Sequence, residues 1–101
     1  MQADMASLPL DGPLTVRTIK TVHDTLLKAL AGNHAVQVDC TAADSVDLSF
    51  IQLLLAARRS AHEAGKQLTL AAPASGALLA ALEQGGFLPH ARPDPFWSGA
   101  A

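Results

Sequence analysis

The residues of this chain best suited to chemistry lie in a short acidic, hydroxyl-bearing segment, Asp44 to Ser49. A β-branched apolar stretch ending at Asp39 and Cys40 precedes it, and an apolar stretch with helical spacing follows it directly. Backbone N–H groups and the helix dipole favour negative charge at a helix N-terminus. The segment is therefore predicted to contact a partner or to be covalently modified.

The rest of the sequence lacks the usual catalytic and metal-binding motifs. The histidines have no HExxH or paired-ligand spacing and are predicted to be surface residues; they are His23, His34, His62 and His90. Ser49 is not part of a GxSxG elbow, and Gly85-Gly86 fits neither a P-loop nor a dinucleotide fingerprint. We therefore expect no enzymatic activity, no catalytic residue, no metal and no cofactor.

Length and charge restrict the class of protein. At 101 residues the chain is long enough for one compact domain and too short for two. The formal net charge of −2 offers no broad basic surface for nucleic acid or anionic membrane. The sequence has no run of about 18 apolar residues, its first residues are not expected to act as a secretion signal, and its single cysteine, Cys40, has no disulfide mate. We expect a cytoplasmic protein without direct membrane insertion.

The elements that position the acidic segment alternate between strands and helices. The apolar spacing predicts a short edge strand at Leu8–Leu10, a helix from Thr15 to Gly32, a strand at 35–40, a helix from Ser49 to about Ala64, a strand at 66–72 and a helix from Ser75 to Gly85. This alternation is typical of an α/β layered domain.

Composition also divides the chain into segments. Residues 1–7 are predicted to be a flexible N-terminus, residues 8–88 the domain, and residues 89–101 a Pro-rich tail without regular structure. Phe96 and Trp97 are the apolar anchors of that tail. They are expected to pack back on the domain, with binding to a partner as the alternative.

A resemblance to a known family rests on three pieces of sequence. Residues 46–59 read VDLSFIQLLLAARR, residues 65–70 read GKQLTL, and residues 85–87 read GGF. In this order they resemble the STAS domain family, which includes the bacterial anti-sigma factor antagonists, over about Leu8 to Leu88. The resemblance implies an α/β fold with a small mixed sheet of about four strands covered by three or more helices. It also implies a binding face around the N-terminus of the second helix.

The resemblance implies a phosphorylation switch that this sequence departs from. In the antagonists the loop reads Asp-Ser-Ser-Gly, and a kinase-type anti-sigma factor phosphorylates the first serine. Here Asp47 matches the aspartate, but Leu48 stands at the phosphoacceptor position and Phe50 replaces the glycine. The usual switch is therefore not expected, although Ser49 and Ser45 remain candidate acceptors.

The residues around position 48 have structural as well as functional interpretations. Asp47 is expected to cap the second helix by accepting hydrogen bonds from the N–H groups of Ser49 or Phe50. Leu48 and Phe50 are either core residues at the start of the helix or an exposed apolar patch, and the sequence leaves both open.

Taken together, these residues predict a STAS regulator that acts by protein–protein contact. The predicted partner-binding residues are Asp44, Asp47, Leu48, Ser49, Phe50, Gln52 and Arg59. The expected partner is a kinase-type anti-sigma factor or a chemotaxis-type histidine kinase. The alternatives are a STAS subunit of a lipid transport ABC complex, which would dock on an ATPase, and a small anion- or nucleotide-binding module. The oligomeric state stays open, a dimer included.

Overall fold

The computed structural model describes residues 5–85 and 95–98. Within these ranges the elements follow one another as β1 (Met5–Pro9), β2 (Gly12–Leu14), α1 (Ile19–Gly32), β3 (Ala35–Asp39), β4 (Ala43–Val46), α2 (Leu48–Glu63), β5 (Gln67–Leu70), α3 (Gly76–Gln84) and a 3₁₀ helix, η1 (Pro95–Ser98). The α/β class predicted from the alternation of elements is confirmed.

The strands form two small parallel sheets. The larger has the order β1-β3-β5, and Leu8, Val38 and Leu70 are aligned across it. The smaller pairs β2 with β4. Parallel neighbours need a crossover connection, which α1 provides between β1 and β3 and α2 provides between β3 and β5. The described strand pairs are all parallel. The resemblance implied a small mixed sheet of about four strands covered by three or more helices, and the five strands and three α-helices of the described residues are compatible with that fold.

The core lies where the helices cover the sheet. The central strand β3 alternates, so that Val36 and Val38 are buried while Gln37 is partly exposed. Each helix adds one apolar face, with members at steps of three and four residues. The buried helix residues are Val22, Leu26 and Leu30 of α1, Phe50, Ile51, Leu54, Ala57 and Ala61 of α2, and Leu78 and Leu82 of α3.

The turn after α2 ties two helices together. Gly65 has φ +75, a left-handed conformation that suits the residue just after a helix. The next residue, Lys66, donates a hydrogen bond from Nζ to the carbonyl of Leu30 in the last turn of α1. That carbonyl has no partner within its own helix, and a cation there is stabilised by the helix dipole.

Three short strands differ from the sequence prediction. β1 begins at Met5, so residues 5–7 of the predicted flexible N-terminus belong to a strand, and β1 is an edge strand as predicted. β2 lies in a Gly-Pro segment for which no strand was predicted, and β4 includes Asp44 and Ser45 of the acidic segment. Both are short, with Leu14 the only buried residue of the two strands, and each is held by pairing with the other. The predicted boundary of the domain at residue 88 lies outside the described residues.

The C-terminal anchors pack back on the domain, as predicted. Phe96 and Trp97 are buried, and their rings meet edge to face with centroids 4.9 Å apart. The Trp97 carbonyl accepts a hydrogen bond from the Ala74 N–H at 2.8 Å. Contrary to the prediction of an irregular tail, residues 95–98 form η1. The other tail residues, 89–94 and 99–101, lie outside the described part of the chain.

Candidate functional site

Asp47 organises the junction between β4 and α2. Its Oδ1 accepts hydrogen bonds from the Ser49 N–H, at 3.0 Å, and from the Ser49 hydroxyl. Its Oδ2 accepts from the Val16 N–H at 2.9 Å, and its own N–H donates to the Leu14 carbonyl at 3.2 Å. The predicted cap is therefore confirmed. The same carboxylate also fastens the β2–α1 loop, which is 31 positions away in sequence.

These hydrogen bonds lower the pKa of Asp47. The Ser49 hydroxyl is the largest cause, and the Val16 N–H is the next. Donors that face a carboxylate stabilise its charged form. Asp47 is therefore ionised at neutral pH, and both of its oxygens are occupied by the protein itself. Direct contact of Asp47 with a partner stays a prediction.

The β2–α1 loop is fixed a second time by Thr18. Its Oγ accepts a hydrogen bond from the Thr15 N–H at 3.1 Å and donates one to the Pro13 carbonyl at 2.9 Å. Between these anchors the side chain of Val16 points into solvent, 67% exposed. The loop therefore presents an apolar side chain on a backbone held from both sides.

Two exposed apolar side chains flank Asp47. Leu48, the first residue of α2, is 51% exposed, and Val16 lies across the Asp47 hydrogen bond. We call Val16 and Leu48 the apolar patch. Sequence reasoning missed Val16, because its spacing to Ile19 and Val22 places it on the buried face of a helix that in fact starts only at Ile19.

Phe50 does not belong to this surface. It is 0% exposed and packs in the core, so its assignment as a partner-binding residue is wrong. Two residues along a helix correspond to a rotation of about 200°, so Leu48 and Phe50 must face opposite sides. The sequence left open whether Leu48 and Phe50 are core residues or an exposed apolar patch. Phe50 is a core residue, and Leu48 is the exposed one.

The candidate phosphoacceptors lie in different surroundings. Ser45 is exposed in β4, and its hydroxyl donates to Asp44 Oδ1 at 3.4 Å. Ser49 is partly buried in the first turn of α2, where its hydroxyl is held by Asp47. A phosphate on Ser49 would compete with that carboxylate for the same helix N-terminus. Modification of either serine stays a prediction.

The exposed face of α2 continues from the apolar patch. Gln52 and Arg59, both predicted to bind a partner, are exposed on this face. The face consists of residues spaced three or four apart, namely Leu48, Gln52, Leu55, Arg59 and His62. We call this row the α2 stripe. Asp44, the remaining predicted contact, is exposed on β4.

The end of β3 carries groups that act structurally. Asp39 Oδ1 accepts hydrogen bonds from the Thr41 hydroxyl, at 2.6 Å, and the Thr41 N–H, at 3.0 Å, and these lower the pKa of Asp39. Burial raises the pKa of the Cys40 thiol to about 12. A thiol that stays protonated is a poor nucleophile. The loop after β3 is therefore held by Asp39 and offers no reactive sulfur.

The histidines of the described chain are dispersed. His23, His34 and His62 are exposed, as predicted, and His90 lies outside the described residues. Among the described residues, no three His, Cys, Asp or Glu side chains lie close enough together to hold a metal ion. In residues 5–85 and 95–98, no helix combines the length and the apolar character that crossing a membrane requires.

Comparison with known protein families gives a match over most of the chain. The model of a family described as "Mlab, STAS domain" matches residues 1–88. No curated protein matches the chain. The matched span includes the apolar patch, Asp47 and the whole α2 stripe.

Proposed function

This chain belongs to the STAS domain family, and we propose that it is a regulator that docks on a kinase-type signalling protein. STAS domains are generally binding or regulatory modules rather than enzymes, and they typically act through protein–protein contact. We propose that the docking surface is the apolar patch with the adjoining α2 stripe. The expected partner is a kinase-type anti-sigma factor or a chemotaxis-type histidine kinase.

The observation that carries the proposal is the half-exposed Leu48 on a rigid helix start. Burial of an apolar side chain under a partner lowers the free energy by about 25 cal/mol for each Å² of apolar surface removed from water. The backbone on both sides is fixed by Asp47, so little conformational entropy is lost when a partner binds. An exposed apolar centre with polar neighbours is typical of a protein interface.

The proposed mechanism is constitutive docking rather than a phosphoserine switch. A phosphate would add about −1.5 to −2 charges to the middle of the surface and repel an acidic partner. Leu48 stands at the position of the acceptor serine and has no hydroxyl to modify. Regulation at this position is therefore expected to come from the amount or the state of the partner.

A binding comparison of three partner classes tests this function. The full chain is titrated by calorimetry with a kinase-type anti-sigma factor, a chemotaxis-type histidine kinase and the ATPase of a lipid transport complex, all from the same organism. We expect one of the two kinase-type proteins to bind. Leu48→Asp should weaken that binding at least about tenfold, which corresponds to about 1.4 kcal/mol.

Leu27→Asp is the matched control for that experiment. Leu27 is 49% exposed, nearly the same as Leu48, but it lies on α1. It should leave the affinity unchanged. Binding to the transporter ATPase alone would favour the lipid transport alternative. Binding of a free nucleotide or anion with no protein partner would favour the small-ligand module.

A further inference from the structure

The second half of α2 carries a shallow depression lined by two arginines. It has a volume of about 500 Å³ and is lined by Leu55, Arg58, Arg59 and His62. We call it the cationic hollow. It contrasts with the chain as a whole, which has a formal net charge of −2.

Arg58 is held in place within the hollow. Its guanidinium carbon lies 4.7 Å from the centroid of the Phe96 ring, a cation–π geometry. Phe96 is itself buried in the core. Because the side chain is fixed before any ligand arrives, less rotamer entropy is lost on binding. The tail helix η1 therefore supports one wall of the hollow.

Arg59 supplies charge that the described protein does not neutralise. Arg59 is exposed and makes no ion pair with any residue of 5–85 or 95–98. Glu63 lies one turn after Arg59, and both are exposed, yet they form no ion pair. An exposed guanidinium beside a partly buried aliphatic side chain, Leu55, suits a ligand with both a carboxylate and an apolar group.

The hollow lies on the same face as the apolar patch. Leu48 and Arg59 are both members of the α2 stripe, and eleven positions at 1.5 Å per residue separate them by about 16.5 Å along the helix. A standard interface covers about 800 Å² on each partner. One partner can therefore cover both ends of the stripe.

We propose that the cationic hollow binds an acidic, leucine-containing segment of the same protein partner that covers the apolar patch. This inference rests on the proposed function, since it places a second contact within that docking surface. The apolar patch provides most of the affinity. The cationic hollow sets the orientation of the partner and speeds association, which is the usual role of complementary charge.

A short peptide tests the hollow without the partner. The probe is the blocked peptide Glu-Glu-Leu-Glu-Glu, titrated at low salt into the ¹⁵N-labelled full chain. We expect amide shifts centred on residues 55–62. The peptide Gln-Gln-Leu-Gln-Gln should cause none. Arg59→Gln should weaken binding at least threefold, while Lys28→Gln, which removes one charge from the exposed face of α1, should not.

Several results would overturn the assignment. The first three are equal binding of the neutral peptide, amide shifts centred outside residues 55–62, and no detectable binding of the acidic peptide. The fourth is the same set of shifts from inorganic phosphate at the same concentration, because that result would indicate a site for any anion. Leu48→Asp should leave peptide binding intact, because Leu48 lies outside the hollow. If the acidic peptide binds the hollow but neither kinase-type protein binds the chain, the proposed partner class is wrong while the peptide site stands.

The partner complex provides a second readout. Arg59→Glu should reduce partner affinity by at least fivefold at low salt, and the reduction should shrink as salt is raised, because exposed charges are screened. A reduction that is independent of salt, or none at all, would contradict the acidic segment. The effect of Leu48→Asp should depend much less on salt, which keeps the two contacts distinguishable.

Discussion

The two apolar residues at the start of α2 have opposite fates. Phe50 is completely buried, whereas Leu48, two positions earlier, is half exposed beside Asp47. They have similar hydrophobic character, so the difference comes from the direction in which the helix turns each side chain. One turn of α2 therefore contributes to both the core and the proposed docking surface. Substitutions at Phe50 should affect stability, and substitutions at Leu48 should affect binding.

The largest effect is expected on the core side. Phe50→Ala should lower the free energy of unfolding by about 3–5 kcal/mol, because it removes a buried ring and leaves a cavity. Chemical denaturation followed by Trp97 fluorescence measures this. Leu48→Ala is the control, and it should stay within about 0.5 kcal/mol of the native protein. Equal losses from both substitutions would mean that the two residues do not lie on opposite faces.

A smaller effect on stability is expected at Asp47, which stands between the two sides. Asp47→Ala removes the cap of α2 and should cost about 1 kcal/mol at neutral pH. It also removes the acceptor of the Val16 N–H, so the β2–α1 loop should be less ordered. The affinity for the partner should therefore fall. Calorimetry and denaturation together check both effects. A stable variant with unchanged binding would contradict the view that Asp47 builds the apolar patch.

The same residue predicts a pH dependence. The pKa of Asp47 is lowered in the folded protein, so the unfolded chain takes up the proton first as the pH falls. The stabilisation by Asp47 is therefore complete above about pH 5, and it declines as the pH falls below the ordinary carboxyl value of about 3.9. The stability gap between the native protein and Asp47→Ala should begin to narrow below about pH 4 and close as the pH falls through the lowered pKa of Asp47. A gap that widened on acidification would contradict this assignment.

The smallest effect concerns the serines. Incubation with the kinase-type partner and ATP should add no phosphate to Ser49 or Ser45, because the acceptor position holds Leu48. Mass spectrometry of the intact chain checks this, and a family antagonist with the serine in place is the positive control. Stoichiometric phosphate on Ser49 would restore a switch within the docking surface.

The helices were predictable because the residues that define each helix lie close together in sequence. Apolar residues at steps of three and four mark the buried faces of α1 and α2, and Asp47 precedes α2 as a cap residue should. The third helix, predicted to begin at Ser75, begins one residue later at Gly76, and the Ser75 side chain makes no capping hydrogen bond. A single window of sequence holds enough information to place such elements.

The smaller sheet was not predictable in the same way. β2 contains Gly12 and Pro13 and β4 contains Asp44 and Ser45, all residues that favour turns. These strands exist because they pair with each other although more than thirty positions of sequence separate them. The exposure of Val16 depends on the same pairing, since the Leu14 carbonyl and the Asp47 carboxylate together fix its loop. Long-range pairing of this kind leaves no local pattern.

The most direct test of the docking surface is a methyl NMR titration of the full chain with its kinase-type partner. Val16, Leu48 and Leu27 are each about half exposed or more, so the methyl groups of all three can report on contact. The account predicts large shifts or broadening for Val16 and Leu48, and unchanged signals for Leu27. Shifts confined to Leu27 on α1, with Leu48 unaffected, would contradict it.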